Sequence, residues 1–187
     1  MTQTNAEIVI GANGAAYVAP VGTALPTYIS DALNVAFVEL GFLTEDGLKF
    51  KDEPSQAMIK SWQSLYPTRR TIEGYEASVA FTMQQWNKGN VEFALNGVVT
   101  EPDPVGHVGE YTFTPTRDGV VPEKSLIVEW QDGTKNYRLL IARGTHSEAV
   151  ETELVKGSEA GLPIGFEIIE SAGISPYLLL TDDPAFA

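Results

Sequence analysis

Histidine is the residue type of this chain best suited to acid–base catalysis or metal binding, and the sequence has two, His107 and His146. They lie in different segments, and neither has a histidine or carboxylate partner at the spacing of a metal site. The sequence has no cysteine, which excludes disulfides, thiolate nucleophiles and cysteine-bound zinc. We therefore predict no metal site and interpret both histidines as surface or loop residues.

Two glycine-rich segments have a partial likeness to motifs of enzymes. Residues 157–161 (GSEAG) contain a serine, but a hydrolase nucleophile needs glycines two positions before and two positions after it. Residues 11–16 (GANGAA) lack the Gly-Lys-Ser/Thr ending of a phosphate-binding loop. Paired carboxylates such as Glu101 and Asp103 lack the spacing of a calcium loop. We therefore predict no catalytic residue and no cofactor.

The three tryptophans, Trp62, Trp86 and Trp130, leave two interpretations open. Exposed tryptophans could bind a sugar, and the chain would then be a soluble β-sandwich module that binds a ligand or carbohydrate. Packing in the core or in a subunit interface is the interpretation we favour, because large aromatic side chains dominate both kinds of burial.

Length, composition and charge indicate one acidic folded domain over residues 1–187. This length can bury one apolar core, and 43% of the residues are hydrophobic. The net charge of -13 disfavours tight binding to nucleic acid, which requires clustered lysine and arginine. No segment approaches the roughly 18 apolar residues that cross a bilayer, so we expect no membrane insertion. Residues 1–5 do not resemble a signal peptide, and we expect the chain to start in the cytoplasm.

The pattern of apolar residues predicts a mainly β fold with one α-helix. Strands are predicted near residues 35–40, 48–51, 68–72, 77–83, 148–155 and 162–169, whereas residues 57–62 fit a helix or a strand. Residues 125–130 and 137–143 flank an Asp-Gly pair and predict a tight hairpin. The helix is predicted over residues 87–95, with Asn87 as its N-cap. Residues 176–187 are expected to form a loosely held C-terminal tail.

Several segments, taken together and in order, resemble one protein family. They are residues 14–26 (GAAYVAPVGTALP), 39–47 (ELGFLTEDG), 59–64 (IKSWQS), 78–82 (SVAFT), 85–87 (QWN) and the hairpin of residues 125–143. These segments are similar to the major tail proteins, or tail-tube proteins, of siphophages, and most similar to those of phages that infect actinobacteria. Residues 98–122 match that family least well.

The resemblance implies a β-sandwich or half-barrel flanked by one helix, with an extended N-terminal arm and a long inter-subunit loop. It implies a structural virion protein, not an enzyme, whose hexameric rings stack into a tail tube for genome ejection. The implied partners are other copies of the chain and the tape measure, tail terminator and baseplate proteins. Phage DNA would pass through the lumen without tight binding, and assembly would take place in the host cytoplasm.

Within that picture we predict that two segments contact neighbouring subunits. They are residues 11–25, within an extended arm predicted over residues 1–30, and residues 43–72, predicted to be a long loop or hairpin, because both combine apolar anchors with turn residues. The basic pair Arg69 and Arg70 could form salt bridges across an interface or remain solvated, and the sequence leaves both possibilities open. The predicted interface residues are Tyr17, Leu25, Met58, Ile59, Trp62, Arg69 and Arg70.

Overall fold

The computed structural model of the chain describes residues 5–147 and 150–186. Its strands are β1 (Ala12–Pro20), β2 (Val38–Glu39), β3 (Leu43–Lys60), β4 (Pro67–Met83), β5 (Gly97–Thr100), β6 (Thr112–Pro115), β7 (Glu123–Asp132), β8 (Lys135–His146), β9 (Leu162–Ile168) and β10 (Tyr177–Thr181). One α-helix, α1 (Lys88–Leu95), and two 3-10 turns (Asn5–Glu7 and Pro184–Phe186) complete the described elements. The predicted mainly β fold with one flanking helix is confirmed.

Eight of the strands form one antiparallel sheet in the order β2-β1-β7-β8-β9-β4-β3, and β10 is attached to β8. One edge of β8 pairs with β7. The other edge is shared, because residues 137–141 pair with β10 and residues 144–146 pair with β9. Leu43 and Leu48 of β3 pack against the same core as Ala16 of β1, although these strands lie near opposite ends of the sheet. The sheet therefore curls into a half-barrel around its core.

Side chains of β7 and β8 alternate between two apolar clusters, as the two-residue period of a strand requires. Leu126 and Ile141 lie in the main core, whereas Ile127 and Leu140 lie in a second cluster on the other face. Phe37, Leu33 and Leu25, from the loop after β1, cover that second cluster. Because both faces are covered, the centres of β7 and β8 are continuous runs of buried residues.

Helix α1 closes the main core with Phe93 and Ala94. The predicted helix and its cap are confirmed, since the Asn87 side chain accepts a hydrogen bond from the backbone N–H of Asn90 at 2.9 Å. The buried Asn90 side chain donates to the backbone oxygens of Leu40 (2.8 Å) and Gln85 (2.9 Å). A satisfied buried amide of this kind ties the helix to the two segments beside it.

The hairpin predicted around the Asp-Gly pair is confirmed as β7 and β8, with Gly133 at a positive φ of 62°. The strand predicted over residues 148–155 is wrong in its described part, because residues 150–155 form no strand; residues 148 and 149 lie outside the described residues. A segment with alternating apolar residues forms a strand only where the edge of another strand is free to pair with it. In this region β8 and β9 already pair with β7, β4 and each other.

The predicted N-terminal arm and C-terminal tail both contribute strands. β1, in the middle of residues 1–30, pairs with β7 from Ala12 to Pro20; residues 1–4 lie outside the described part. β10 pairs with β8, and beyond it Asp183 is buried and accepts hydrogen bonds from Tyr137 Oη and Lys135 Nζ. The hydrogen bond from Tyr137 is the main cause that lowers the pKa of Asp183 to about 2. The tail therefore differs from the loosely held end that we expected.

His146, at the end of β8, corrects the expectation that both histidines lie in loops or on the surface. His107 is exposed in the loop between β5 and β6, but the ring of His146 packs between Phe93 and Phe166, with centroids 4.6 Å and 6.3 Å away. Neither ring nitrogen of His146 makes a hydrogen bond of ordinary geometry to a described residue. Burial lowers the pKa of His146, against a weaker opposing effect from the backbone of Phe93.

Acidification from pH 7.5 to 5.5 is therefore expected to destabilise the fold through His146. Its pKa in the folded chain lies below the ordinary 6.5, so in this range the unfolded chain binds a proton that the folded chain does not. The free energy of unfolding then falls as the pH drops through 6.5. Urea unfolding at both pH values should show a smaller loss for His146→Leu than for the wild type. An equal loss in His146→Leu and wild type would contradict this assignment.

Candidate interaction surface

A two-stranded hairpin extends beyond the sheet. β9 pairs with β4 only over residues 78–83, whereas the pairing of β3 with β4 continues from Asp52 opposite Ala77 to Lys60 opposite Pro67. We call residues 53–76 the projecting hairpin. Each of its arms has no third strand beside it in the described structure. At about 3.3 Å per strand residue the hairpin extends roughly 25 Å past the last three-stranded part of the sheet.

The hairpin ends in a compact turn, residues 61–66, here called the tip, which combines three large apolar or aromatic side chains with two serines and a glutamine. The Thr68 hydroxyl donates to the backbone oxygen of Ile59 at 3.0 Å, and the Ser64 hydroxyl accepts from the backbone N–H of Tyr66 at 3.2 Å. These bonds close the turn while its large side chains point outward. Trp62 is 100% exposed, Leu65 99% and Tyr66 80%. Exposed apolar residues grouped in this way mark a surface that binds another molecule.

Both faces of the projecting hairpin combine apolar and basic residues. Met58 lies directly opposite Arg70, and Ile59 opposite Arg69, so the two cross-strand pairs point to opposite faces. All four side chains are exposed. Residues 54–72 contain Lys60 and the two arginines but no acidic residue, although the whole chain has a net charge of -13. None of these three cations forms an ion pair with a described residue.

Tyr177 of β10 fixes the base of the hairpin. Its ring packs edge-on against Phe50 of β3, with centroids 5.1 Å apart, and its hydroxyl donates to Asp52 at 2.5 Å. This hydrogen bond is the main cause that raises the pKa of Tyr177, with burial second. The direction in which the hairpin leaves the sheet is thus set by a strand from the other end of the chain.

The structure brings together five of the seven residues that we predicted for a subunit interface. Met58, Ile59, Trp62, Arg69 and Arg70 all belong to the projecting hairpin.

The other two predicted residues lie elsewhere. Tyr17 in β1 and Leu25 in the following loop are partly buried and pack against the second apolar cluster of their own chain. Burial is also the main cause that raises the pKa of Tyr17. Leu65, Tyr66 and Tyr75 share the exposed surface of the hairpin and were not predicted, because an apolar residue in a sequence does not reveal whether its side chain is covered.

The residues considered for other chemistry do not converge in the described structure. Trp130 stacks on Tyr137 at 5.4 Å, the Trp86 indole donates to the backbone oxygen of Ala160 at 2.6 Å, and Trp62 lies at the hairpin tip. Among the described residues no group of three or more histidine or acidic side chains could hold a metal ion. The described helix is also too short to cross a membrane. Among the described residues, the projecting hairpin is therefore the surface best suited to bind another molecule.

Comparison with known proteins gave one finding. A family model described as phage tail tube protein matches residues 1–187. No curated protein matches the chain.

Removing the Tyr177 hydroxyl should loosen the base of the hairpin. Tyr177→Phe keeps the ring contact with Phe50 but loses the hydrogen bond to Asp52. Because residues 52–53 and 76–77 pair with each other and have no third strand beside them in the described structure, amide hydrogen exchange there should become several-fold faster. Exchange in β7 should not change. Tyr111→Phe, at an exposed tyrosine between β5 and β6, is the control. Unchanged exchange at the hairpin base in Tyr177→Phe would show that the hydrogen bond from Tyr177 to Asp52 does not hold the base in place.

Proposed function

Because the chain belongs to the phage tail tube protein family, we propose that its copies form hexameric rings that stack into the tail tube of a siphophage. The family is one of structural proteins and not of enzymes, and it places the chain in the virion tail. In the proposed assembly the tube is the conduit for genome ejection. Its rings form in the cytoplasm of the host, which the resemblance of the sequence suggests is an actinobacterium.

The observation that carries this proposal is the projecting hairpin with its uncovered apolar tip. An isolated pair of strands is only marginally stable in water. Burial of apolar surface contributes about 25 cal/mol per Å², so three large exposed side chains at one tip strongly favour contact with another surface. The tip lies beyond the sheet of its own chain, and a second copy can supply the surface that covers it.

The edge of the sheet offers a second contact between copies. β3 is an edge strand, and its outer side has no partner among the described residues over its 18 residues. A long open edge readily pairs with another strand, and closing sheets into a ring removes such edges. Pairing through β3 would join the half-barrels of neighbouring subunits into one continuous barrel, with six copies expected from the family resemblance.

The acidic composition supports a tube that DNA can pass through. Tight binding to DNA requires several lysine or arginine contacts that release counterions, and the chain has 12 such residues against 25 acidic ones. We propose an acidic lumen that phage DNA crosses without tight binding. The tape measure protein inside the tube, and the terminator and baseplate proteins at its ends, are the further proposed partners. The alternative of a carbohydrate-binding module is not favoured, because the three tryptophans lie on separate elements.

Substituting the tip should prevent assembly without affecting the fold. Trp62→Ser combined with Leu65→Ser removes two side chains that are almost fully exposed. The free energy of unfolding should therefore stay within about 0.5 kcal/mol of wild type. The amount of tube seen by electron microscopy and sedimentation should fall at least tenfold. A trimmed variant, in which residues 53–76 are replaced by Asn-Gly, should remain a folded monomer, because that dipeptide suits a two-residue hairpin turn.

The matched control is Val105→Ser combined with Val108→Ser. These two apolar residues are similarly exposed but lie in the loop between β5 and β6. The control should assemble like the wild type. Wild-type yields of tube from the tip variant or the trimmed variant would contradict the proposed role of the hairpin.

A further inference from the structure

The half-barrel has an open mouth between the start of β3 and the strands β1 and β7. This mouth is a cleft of about 980 Å³. Its apolar lining comes from both sides of the opening and includes Phe42, Leu48, Phe50 and Trp130. A cleft of this volume is at the upper end of the range of protein binding sites, about 300–1,000 Å³. It can admit several large side chains.

The charged residues that line the cleft are all acidic. They are Glu39, Glu45, Asp46 and Glu129, and no lysine or arginine is among the described lining residues. Glu129 is paired with Arg138, with Oε1 and Nε 2.5 Å apart. The other three carboxylates form no ion pair with a described residue. The cleft therefore combines an apolar floor with negative charge that its own chain does not compensate.

We propose that this cleft receives the hairpin tip of a second copy of the chain. This inference rests on the proposed function and names the surface that covers the tip. The two surfaces are complementary, because the hairpin carries apolar side chains beside Lys60, Arg69 and Arg70, and the cleft carries apolar side chains beside unpaired carboxylates. Complementary charge of this kind selects the partner and fixes the register of an interface.

The tip of one chain cannot fill the cleft of the same chain. The part of β3 that lines the cleft ends at Phe50, and the tip begins at Ser61. Ten strand residues between them correspond to roughly 33 Å along a straight, paired strand. The contact therefore joins two copies through two different surfaces. Such head-to-tail contacts repeat from copy to copy, as a stacked assembly requires.

A charge exchange tests the pairing of the two surfaces. Arg69→Glu with Arg70→Glu, and separately Glu45→Lys with Asp46→Lys, should each reduce assembly at least tenfold, because each places like charges together. Combining all four substitutions restores opposite charges and should recover assembly to within about threefold of wild type, as coupled sites do. Glu151→Lys with Glu153→Lys, in the loop before β9, is the control and should not rescue the arginine variant. Failure of the fourfold variant to recover would overturn the pairing.

Cross-linking tests the contact directly, because the chain has no cysteine of its own. Ser64→Cys at the tip exchanges a hydroxyl for a thiol, and Thr44→Cys in the cleft also removes one methyl group. The full-length protein with these small changes is treated with a short bismaleimide under assembly conditions. A chain with both changes should give a ladder of dimers, trimers and larger products, whereas a mixture of the two single variants should give dimers only. Ser64→Cys with Ser158→Cys, in the loop between β8 and β9, should give no ladder.

Dimers from Ser64→Cys alone would indicate that two tips meet and would overturn the inference. Tubes without a ladder in the double variant would overturn it too, but would leave the proposed function standing. A ladder without tubes would support the cleft as the receiving surface and count against the proposed function.

Discussion

Two strands that continue beyond their sheet depend on each other for backbone hydrogen bonds and have nothing to bury their side chains against. That constraint acts on residues 53–76, where the described structure supplies neither a third strand nor a covering helix. The hairpin is held only at its base, by continuity with the sheet and by Tyr177. Its tip, which includes the fully exposed Trp62, is a cost to the isolated chain that the proposed association with another copy would remove.

The apolar clusters of the molecule lie outside the projecting hairpin, so its exposed tip does not weaken them. The half-barrel has two apolar clusters of its own, one closed by α1 and the other covered by the loop that contains Leu33 and Phe37. None of the residues in those clusters belongs to the projecting hairpin. The apolar core and the proposed association surface therefore lie in different parts of the chain. Charge is also unevenly distributed, because the outer part of the projecting hairpin, residues 54–72, has three basic residues and no acidic one, whereas Glu53, Glu73 and Glu76 lie at its base.

Helices and hairpins that are marked by a cap or turn residue were predictable from the sequence. Strand pairs that join distant segments of the chain were not. The cap at Asn87 and the Asp-Gly turn identified α1 and the β7–β8 hairpin, because each signal lies within a few residues of the element. The pairing of β10 with β8, by contrast, joins parts of the chain about 40 residues apart, and no local pattern specifies it. The same limit explains Tyr17 and Leu25: an apolar residue looks alike in a sequence whether its own chain or a neighbour covers it.

We expect another copy to cover the hairpin tip in the assembled state, and hydroxyl-radical footprinting of the wild-type chain tests this directly. The protein is oxidised before and after assembly, and the modification of Trp62 and Trp130 is measured by mass spectrometry. Oxidation of Trp62, which is fully exposed in the single chain, should fall at least tenfold on assembly. Equal oxidation of Trp62 in tubes and in single chains would contradict it.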